Sequence, residues 1–546
     1  MNGPLIFVTK ATIFGLTIAT ALLNLGILGS VDGLKVLVMA PNFGYSHLEF
    51  HGHLADLLVQ RGHYVHFVTP EFDPTLKSNG TRLSQKVTRY FPQGEFRHKV
   101  EEMFSQTPLK KNPFEANIDF SNKKDVDLMK QMFGGHCFDL LSNKGFLDEL
   151  RAEEFEVGIA EDVDICSFPL FHVLGIKTVF ATSSTPLMAF IAAQLGLPSP
   201  PYVAEMNSAP VNSPHLSFFQ RITNLLETYR SSTIWGPVQE YVLERARRIH
   251  PTVEIPSGSE IMRRTSFLFV NINEYLDISR PISSKIKFIG GIALKKPKEL
   301  SSGISQIIDK AKKGVVIFSF GSLVDTDNIP KSVRDAFVHT FSQFPEYEFI
   351  WKMNGLNPNF TANLPENVHT MEWIDQPSLL AHPKTKAFIT HCGLNSLNEA
   401  AYFGVPVIAI PMFGDQNYNT AIVQNKGIGV AMSRMDLTRE SVGKALGDVL
   451  NKPSYSIKMK TLSRKLHRVP FKPAQVFIEN VEFAAEFEGD FEELNLAGWE
   501  LNFFQYFMLD FFIPLALFSI AVVAVTAKAI LRILRWLREI RSKKID

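Results

Sequence analysis

His391, Asn395, Ser396 and Glu399 lie close together in the stretch FITHCGLNSLNEAAYFGVPVIAIPMFGDQ, residues 388–416, and all four can hold oxygen-rich groups. Residues 387–390 are a short apolar run, His391-Cys392-Gly393 forms a turn, and residues 395–403 suit a helix ending at Gly404. A second apolar run lies between Pro406 and Pro411, as expected of a buried parallel strand. A turn feeding a helix exposes unpaired backbone N–H groups at the positive end of the helix dipole, where a phosphate sits well. His391, Asn395 and Ser396 can add donors to phosphate oxygens there. Glu399, one turn on, suits a pair of sugar hydroxyls, and Asp415-Gln416 closes the unit. The chemistry is that of a nucleoside diphosphate joined to a polyhydroxylated group. Ser396 to Glu399 also reads as a capping box, in which Glu399 would close the helix instead. Cys392 stands at a helix start, where a thiol pKa can fall, but it reads as a small turn residue. Further upstream, the strand-like GVVIFSF runs into Gly321-Ser322, a turn whose N–H groups and Ser322 hydroxyl could approach the same diphosphate.

The stretch resembles the donor-binding signature of the UDP-glycosyltransferase family. That signature places phenylalanine-x-threonine-histidine, Gly393, Ser396, Glu399, two prolines and a terminal acid-glutamine pair at fixed intervals, and this chain matches each interval. The match extends back to Trp373-Ile374-Asp375-Gln376, with Asp375 where the family has proline. By resemblance, Trp373 would stack on the uracil and Gln376 would hydrogen-bond it. The spacing from Ser46-His47 to Arg61-Gly62-His63 is the one the family shows around its catalytic base, which assigns that role to His47. A neutral imidazole, with a reference pKa of about 6.5, can accept a hydroxyl proton near neutral pH. His51, four residues on and on the same helix face, could only support it. Glu161 ends the strand-like FEVGIAE where the family has an aspartate that orients the base; Asp162 and Asp164 stand nearby as alternatives.

The elements that would carry these residues alternate along the chain. KVLVMA, a helix over about 47–60, and a strand ending at Pro70 form a parallel unit, and further strand-helix alternation follows in both halves. The glycines Gly44 and Gly52 do not make a dinucleotide fingerprint, which disfavours a nicotinamide-dependent oxidoreductase. The expected fold is α/β, two facing doubly wound Rossmann-like domains with the ligand between them, the GT-B type by resemblance. Residues 34–290 would form the acceptor-binding domain and 291–480 the UDP-sugar domain, with 481–510 returning to the membrane. A charged, irregular insertion is expected over 81–139, and the aromatics of 198–250 are expected in a core. Near-zero net charge argues against nucleic acid. Cys137, Cys166 and Cys392 suggest no disulfide framework, and no spacing suggests a metal.

Residues 1–33 read as a signal peptide. Residues 511–527 form an apolar run of about 25 Å as a helix, close to a membrane span. The basic tail 528–546 then places the large domains in the lumen, a single-pass type I topology. Its terminal Lys543-Lys544 resembles an endoplasmic reticulum retrieval signal. Asn79 and Asn359 lie in glycosylation sequons.

The resemblance implies an inverting transferase moving glucuronic acid or glucose from UDP-glucuronate or UDP-glucose to hydroxyls of small lipophilic acceptors. UDP-sugar would be a co-substrate, with no separate cofactor and no metal, and the family often forms homo- or hetero-oligomers in the membrane. The rival reading is a catalytically silent nucleotide-sugar-binding membrane protein acting as a partner subunit, suggested by the departures at Glu161 and Asp375.

Overall fold

The computed structural model describes residues 33–543 apart from 93–95, 99, 102–113, 115–122, 199, 204–215, 323, 325, 327–328 and 354–362. The expected signal peptide and the Asn359 sequon therefore lie outside the described residues, as does Lys544.

Seven parallel strands make the first sheet: β1 (Lys35–Met39), β2 (Tyr64–Pro70), β3 (Lys86–Tyr90), β4 (Val157–Glu161), β5 (Thr178–Ser183), β6 (Leu268–Val270) and β7 (Ile286–Phe288). Their order is β3-β2-β1-β4-β5-β6-β7. The second sheet orders β10 (Val368–Met371), β9 (Tyr347–Lys352), β8 (Gly314–Ser319), β11 (Thr385–Thr390), β12 (Val407–Ala409) and β13 (Gly429–Ala431). Both are doubly wound. Their central strands are largely apolar because helices cover both faces, and VGIAE of β4 is buried at every position. In each sheet the order in which strands are added switches sides once, between β1 and β4 in the first and between β8 and β11 in the second. Open α/β sheets bind ligands at such a switch.

Helix α1 (Tyr45–Arg61) follows β1 directly. It begins at Gly44 and ends at Gly62, whose φ of 105° is the left-handed cap that glycine tolerates. Gly52 is needed for packing, since a Cβ there would lie 2.1 Å from the Gly80 carbonyl oxygen. The described residues of the 81–139 stretch are more regular than expected: they supply β3 and most of helix α2 (Lys123–Ser142). Lys86 and Arg89 of KVTRY suit an edge strand, which is only partly covered. The cysteine expectation is also corrected. Cys137 on α2 is disulfide-bonded to Cys166, the N-cap of helix α3 (Ser167–Leu174), across a Cα separation of 5.2 Å. Only Cys392 is a free thiol. Replacing Cys137 with serine should cost the first domain roughly 3–4 kcal/mol, from the closed loop alone, read as a lowered denaturation midpoint of the purified chain.

Helix α4 (Phe218–Ile249) belies the core reading of its first half. Val238, Val242 and Leu243 are buried, but Phe218, Phe219, Leu225 and Leu226 are exposed. In the second domain, α5 (Gln376–Ala381), α6 (Leu394–Phe403) and α7 (Gln416–Lys426) start at the cleft edge. Its core centres on Trp351, stacked 4.7 Å from Phe318 and surrounded by Phe337 and Phe341. Helix α8 (Pro473–Glu486) leaves this domain and returns to the first. Phe477 meets Phe269 at 5.0 Å, and Arg61 pairs with Glu482 at 2.7 Å, so the sequence boundary at 480 falls inside a helix of the first domain's core. Finally α9 (Leu509–Ser542) is long and apolar enough to cross a membrane, and it extends well beyond the expected 511–527 into the basic tail.

Candidate active site

His47 lies in the first turn of α1, and Glu161 ends β4, the strand beside β1. Adjacent parallel strands and the helix rising from one of them thus bring two residues far apart in sequence into contact. His47 Nδ1 is 2.7 Å from Glu161 Oε1. Glu161 is buried, which by itself would push its carboxyl up. The His47 charge and hydrogen bond outweigh burial and hold it at about 2. Burial likewise pulls the imidazole pKa down, and the Glu161 charge and hydrogen bond more than restore it, so it ends above its ordinary value. With its Nδ1 proton directed at the carboxylate, the basic nitrogen of neutral His47 is Nε2.

Two supports were not among the sequence expectations. The Ser184 hydroxyl bonds to Glu161, and its oxygen lies 2.7 Å from His47 Nδ1. Ser184 directly follows β5, at the strand end where parallel sheets place functional groups, which was the available signal. Lys352, at the end of β9, reaches the Gly321 carbonyl at 2.5 Å and lies 4.9 Å over the Trp373 ring. His51 Nδ1 donates to the His47 carbonyl at 2.8 Å, and its Nε2 lies 2.7 Å from the Thr182 hydroxyl, which donates to the Ala160 carbonyl at 3.0 Å. Burial depresses the His51 pKa. Asp162 and Asp164 do not take the place of Glu161. Burial raises the Asp162 carboxyl to about 8 and the Asp164 carboxyl to about 6, and Asp164 is occupied with Ser167 and the Cys166 N–H.

Opposite stands the donor half. Cys392 has φ 65°, a left-handed turn that reverses the chain between β11 and α6. Burial pushes its thiol up to about 12, so it is the inert turn residue, not an activated nucleophile. His391 fits between two glycines: a Cβ on Gly321 would lie 2.6 Å from its ring, and one on Gly393 would lie 2.6 Å from Nε2. Burial, helped by Lys352 and opposed by a hydrogen bond to the Ser319 backbone, depresses its pKa to about 4, so it meets any ligand as a neutral imidazole. Ser322 is exposed in the turn after β8.

Helix α6 starts at Leu394 with Gly393 as N-cap and no side-chain cap. Ser396 and Glu399 are therefore not a capping box. Instead Gln376 Nε2 donates to Glu399 at 2.6 Å and to Ser396 at 3.2 Å, joining three of the expected residues. Burial raises the Glu399 carboxyl to about 7, partly offset by that hydrogen bond. Asp375, the departure from the family pattern, caps α5 through the Ser378 N–H at 3.4 Å and hydroxyl at 2.8 Å.

Other expected residues also have structural work. Asn395 bridges the domains, accepting from Asn271 at 2.8 Å and donating to the Ser46 carbonyl, next to His47, at 3.5 Å. Gln416 accepts from the N–H groups of Met412 and Phe413 at 2.8 and 3.2 Å. Asp415 accepts from Asn419 at 2.8 Å, and its charge is felt at His47, although burial raises its own pKa. Trp373 is 62% exposed, with the Lys352 ammonium over one face and its ring centroid 5.9 Å from that of Tyr45 across the cleft.

A partly exposed imidazole bound to a buried carboxylate on one Rossmann-like domain, facing a helix N-terminus on another, fits a glycosyltransferase that draws on a nucleotide sugar. The chain belongs to the UDP-glucoronosyl and UDP-glucosyl transferase family, whose model matches residues 34–544. It is 29% identical over 496 residues to a putative UDP-glucuronosyltransferase, ugt-48, of Caenorhabditis elegans, covering 88% of this chain and 91% of that one. It is 32% identical over 384 residues to UDP-glucuronosyltransferase 2C1 of Oryctolagus cuniculus, covering 68% and 73%. Among solved structures, Os79 of O. sativa in complex with UDP aligns with a TM-score of 0.56 at 16% identity, covering 83% of this chain and 100% of that one; this likeness concerns the fold.

Proposed function

We propose that the chain is an inverting UDP-glycosyltransferase that moves glucuronic acid or glucose to a hydroxyl of a small lipophilic acceptor, with His47 as general base. The observation that carries this reading is the 2.7 Å contact between His47 and buried Glu161, within reach of the second domain's phosphate-suited turn. The acceptor oxygen gives its proton to His47 Nε2 as it forms a bond to the anomeric carbon. The bond from that carbon to the diphosphate oxygen breaks, and UDP leaves with the electron pair. Attack opposite the leaving group inverts the centre, as in inverting glycoside chemistry. The departing negative charge faces the α6 N-terminus, His391, Ser396, Ser322 and the Lys352 ammonium. Gln376 and Trp373 suit the uracil, and Glu399 and Asp415 suit sugar hydroxyls.

The binding-only reading rested on Glu161 and Asp375. Both are accommodated: Glu161 reaches His47, and Asp375 caps α5. A luminal, type I placement in the endoplasmic reticulum membrane is supported by the basic end of α9, by a disulfide suited to an oxidising compartment, and by exposed Asn79 as a glycan acceptor. Membranes carrying the chain should release UDP from one of UDP-glucuronate and UDP-glucose only when a phenolic or aliphatic alcohol is present. Release from neither, across a mixed acceptor panel, would overturn the transferase reading.

A further inference from the structure

The first half of α4 displays Phe218, Phe219, Ile222, Leu225, Leu226 and Tyr229, all exposed, with Phe219 at 77% and Leu226 at 62%. Their spacing places them on one face of the helix. The opposite face is the one held by the protein: Asn224 is buried and donates to the Pro201 carbonyl at 3.0 Å, and Ser231 is buried one to two turns on. The helix thus turns its apolar face outward before Pro237 and inward after it, where Val238, Val242 and Leu243 enter the core.

What this stripe faces follows from where the chain enters the membrane. Tyr506, three residues before α9, donates to the Gly196 carbonyl at 3.4 Å, and Trp499 packs on the same glycine while Arg263 lies 5.1 Å over its ring. Gly196 and Pro201, which anchors α4, are five residues apart and so separated by at most about 18 Å. Phe503, Phe504, Phe507 and Met508 are exposed beside the start of α9, a set of aromatics suited to a membrane–water boundary. Arg221 and Arg230 flank the stripe on α4, where guanidinium groups would meet lipid phosphates; Arg221 is bonded to the Leu216 carbonyl and Arg230 to Glu227. A helix with an apolar face and basic flanks, tethered this close to a span, has the form of an interfacial helix.

We propose that the Phe218 to Tyr229 face of α4 lies in the interfacial layer of the bilayer that α9 crosses, giving the acceptor domain a second membrane contact. The proposal rests on α9 being a membrane span. Because Cys392 is buried and the other two cysteines are paired, a fluorophore can be placed on an introduced cysteine in the full chain. Leu226→Cys, Val523→Cys in α9 and Glu244→Cys, on the exposed surface of the second half of α4, would be labelled and reconstituted in phosphatidylcholine nanodiscs. Lipids spin-labelled near the headgroup end of the acyl chain serve as quencher. The label at 226 should be quenched at least about twofold more than that at 244. Equal quenching at 226 and 244, with strong quenching at 523, overturns the proposal and leaves the span intact. Absence of quenching at both 226 and 523 overturns both. A label at 226 shielded in proportion to protein density but insensitive to the lipid quencher overturns the proposal in favour of contact between copies.

Discussion

His47→Ala is expected to lower kcat by about 10²–10⁴-fold, the usual worth of a positioned base, while leaving UDP affinity unchanged. The imidazole belongs to the first domain, whereas the residues suited to UDP lie on the second: His391 between Gly321 and Gly393, and Gln376 joined to Glu399 and Ser396. The α1 helix should still form, because its start at Gly44 uses no side-chain cap and its buried residues lie beyond His47. Steady-state turnover and calorimetric titration with UDP check the two halves separately. Wild-type turnover would remove His47 from the chemistry, and lost UDP binding would show a wider disturbance of the cleft.

Glu161→Gln should produce the second large effect, and its signature lies in the pH profile. The base works only when neutral, so activity falls as pH drops through the His47 pKa. In the native chain Glu161 holds that pKa above its ordinary value against the opposing effect of burial. Without the carboxylate, burial prevails and the acid limb of kcat/KM moves to lower pH. The maximum also falls by about 10²-fold or more, since the imidazolium formed during transfer loses its counter-charge. Glu161→Asp, which keeps the charge on a shorter arm, should preserve the position of the acid limb while losing part of the maximum. A fall in rate without movement of the limb in Glu161→Gln would mean that the carboxylate acts only as a packing group.

The most legible parts of the chain were those whose information is local. The apolar run into His391-Cys392-Gly393, the helix to Gly404 and the strand between two prolines formed as read, because strand period, turn residues and helix cap all lie within one segment. Helix α1 was legible for the same reason, its observed limits exceeding the expected ones by a residue or two. What failed depended on partners distant in sequence. Cys137 and Cys166, separated by 29 residues, look unrelated until α2 packs beside the β4–α3 turn. The edge strand β3 was hidden by its charges, since an edge strand need bury only one side. Ser184 and Lys352 sit at strand ends that the pattern located without saying which would point into the cleft. On α4 the periodicity was read well and its direction wrongly: a stripe of apolar residues reveals a face, and only the packing of Asn224 and Ser231 reveals which way it points. Asn395 and Gln416 stood out as ligand groups, yet their hydrogen bonds hold the two domains and a turn.

The return of α8 to the first domain has a mechanical consequence. The polypeptide passes from the first domain to the second after β7 and comes back at α8, so two connecting stretches join the two bodies. Everything after the second stretch, including the segment docked on Gly196 and the anchor itself, rides with the first domain. Taking a bilayer crossed by α9 as the fixed frame, the first domain would be the post and the second the door. Under the proposed function, loading a nucleotide sugar and discarding the spent nucleotide would then require no movement of the membrane attachment, and His47 would keep a constant height above the lipid.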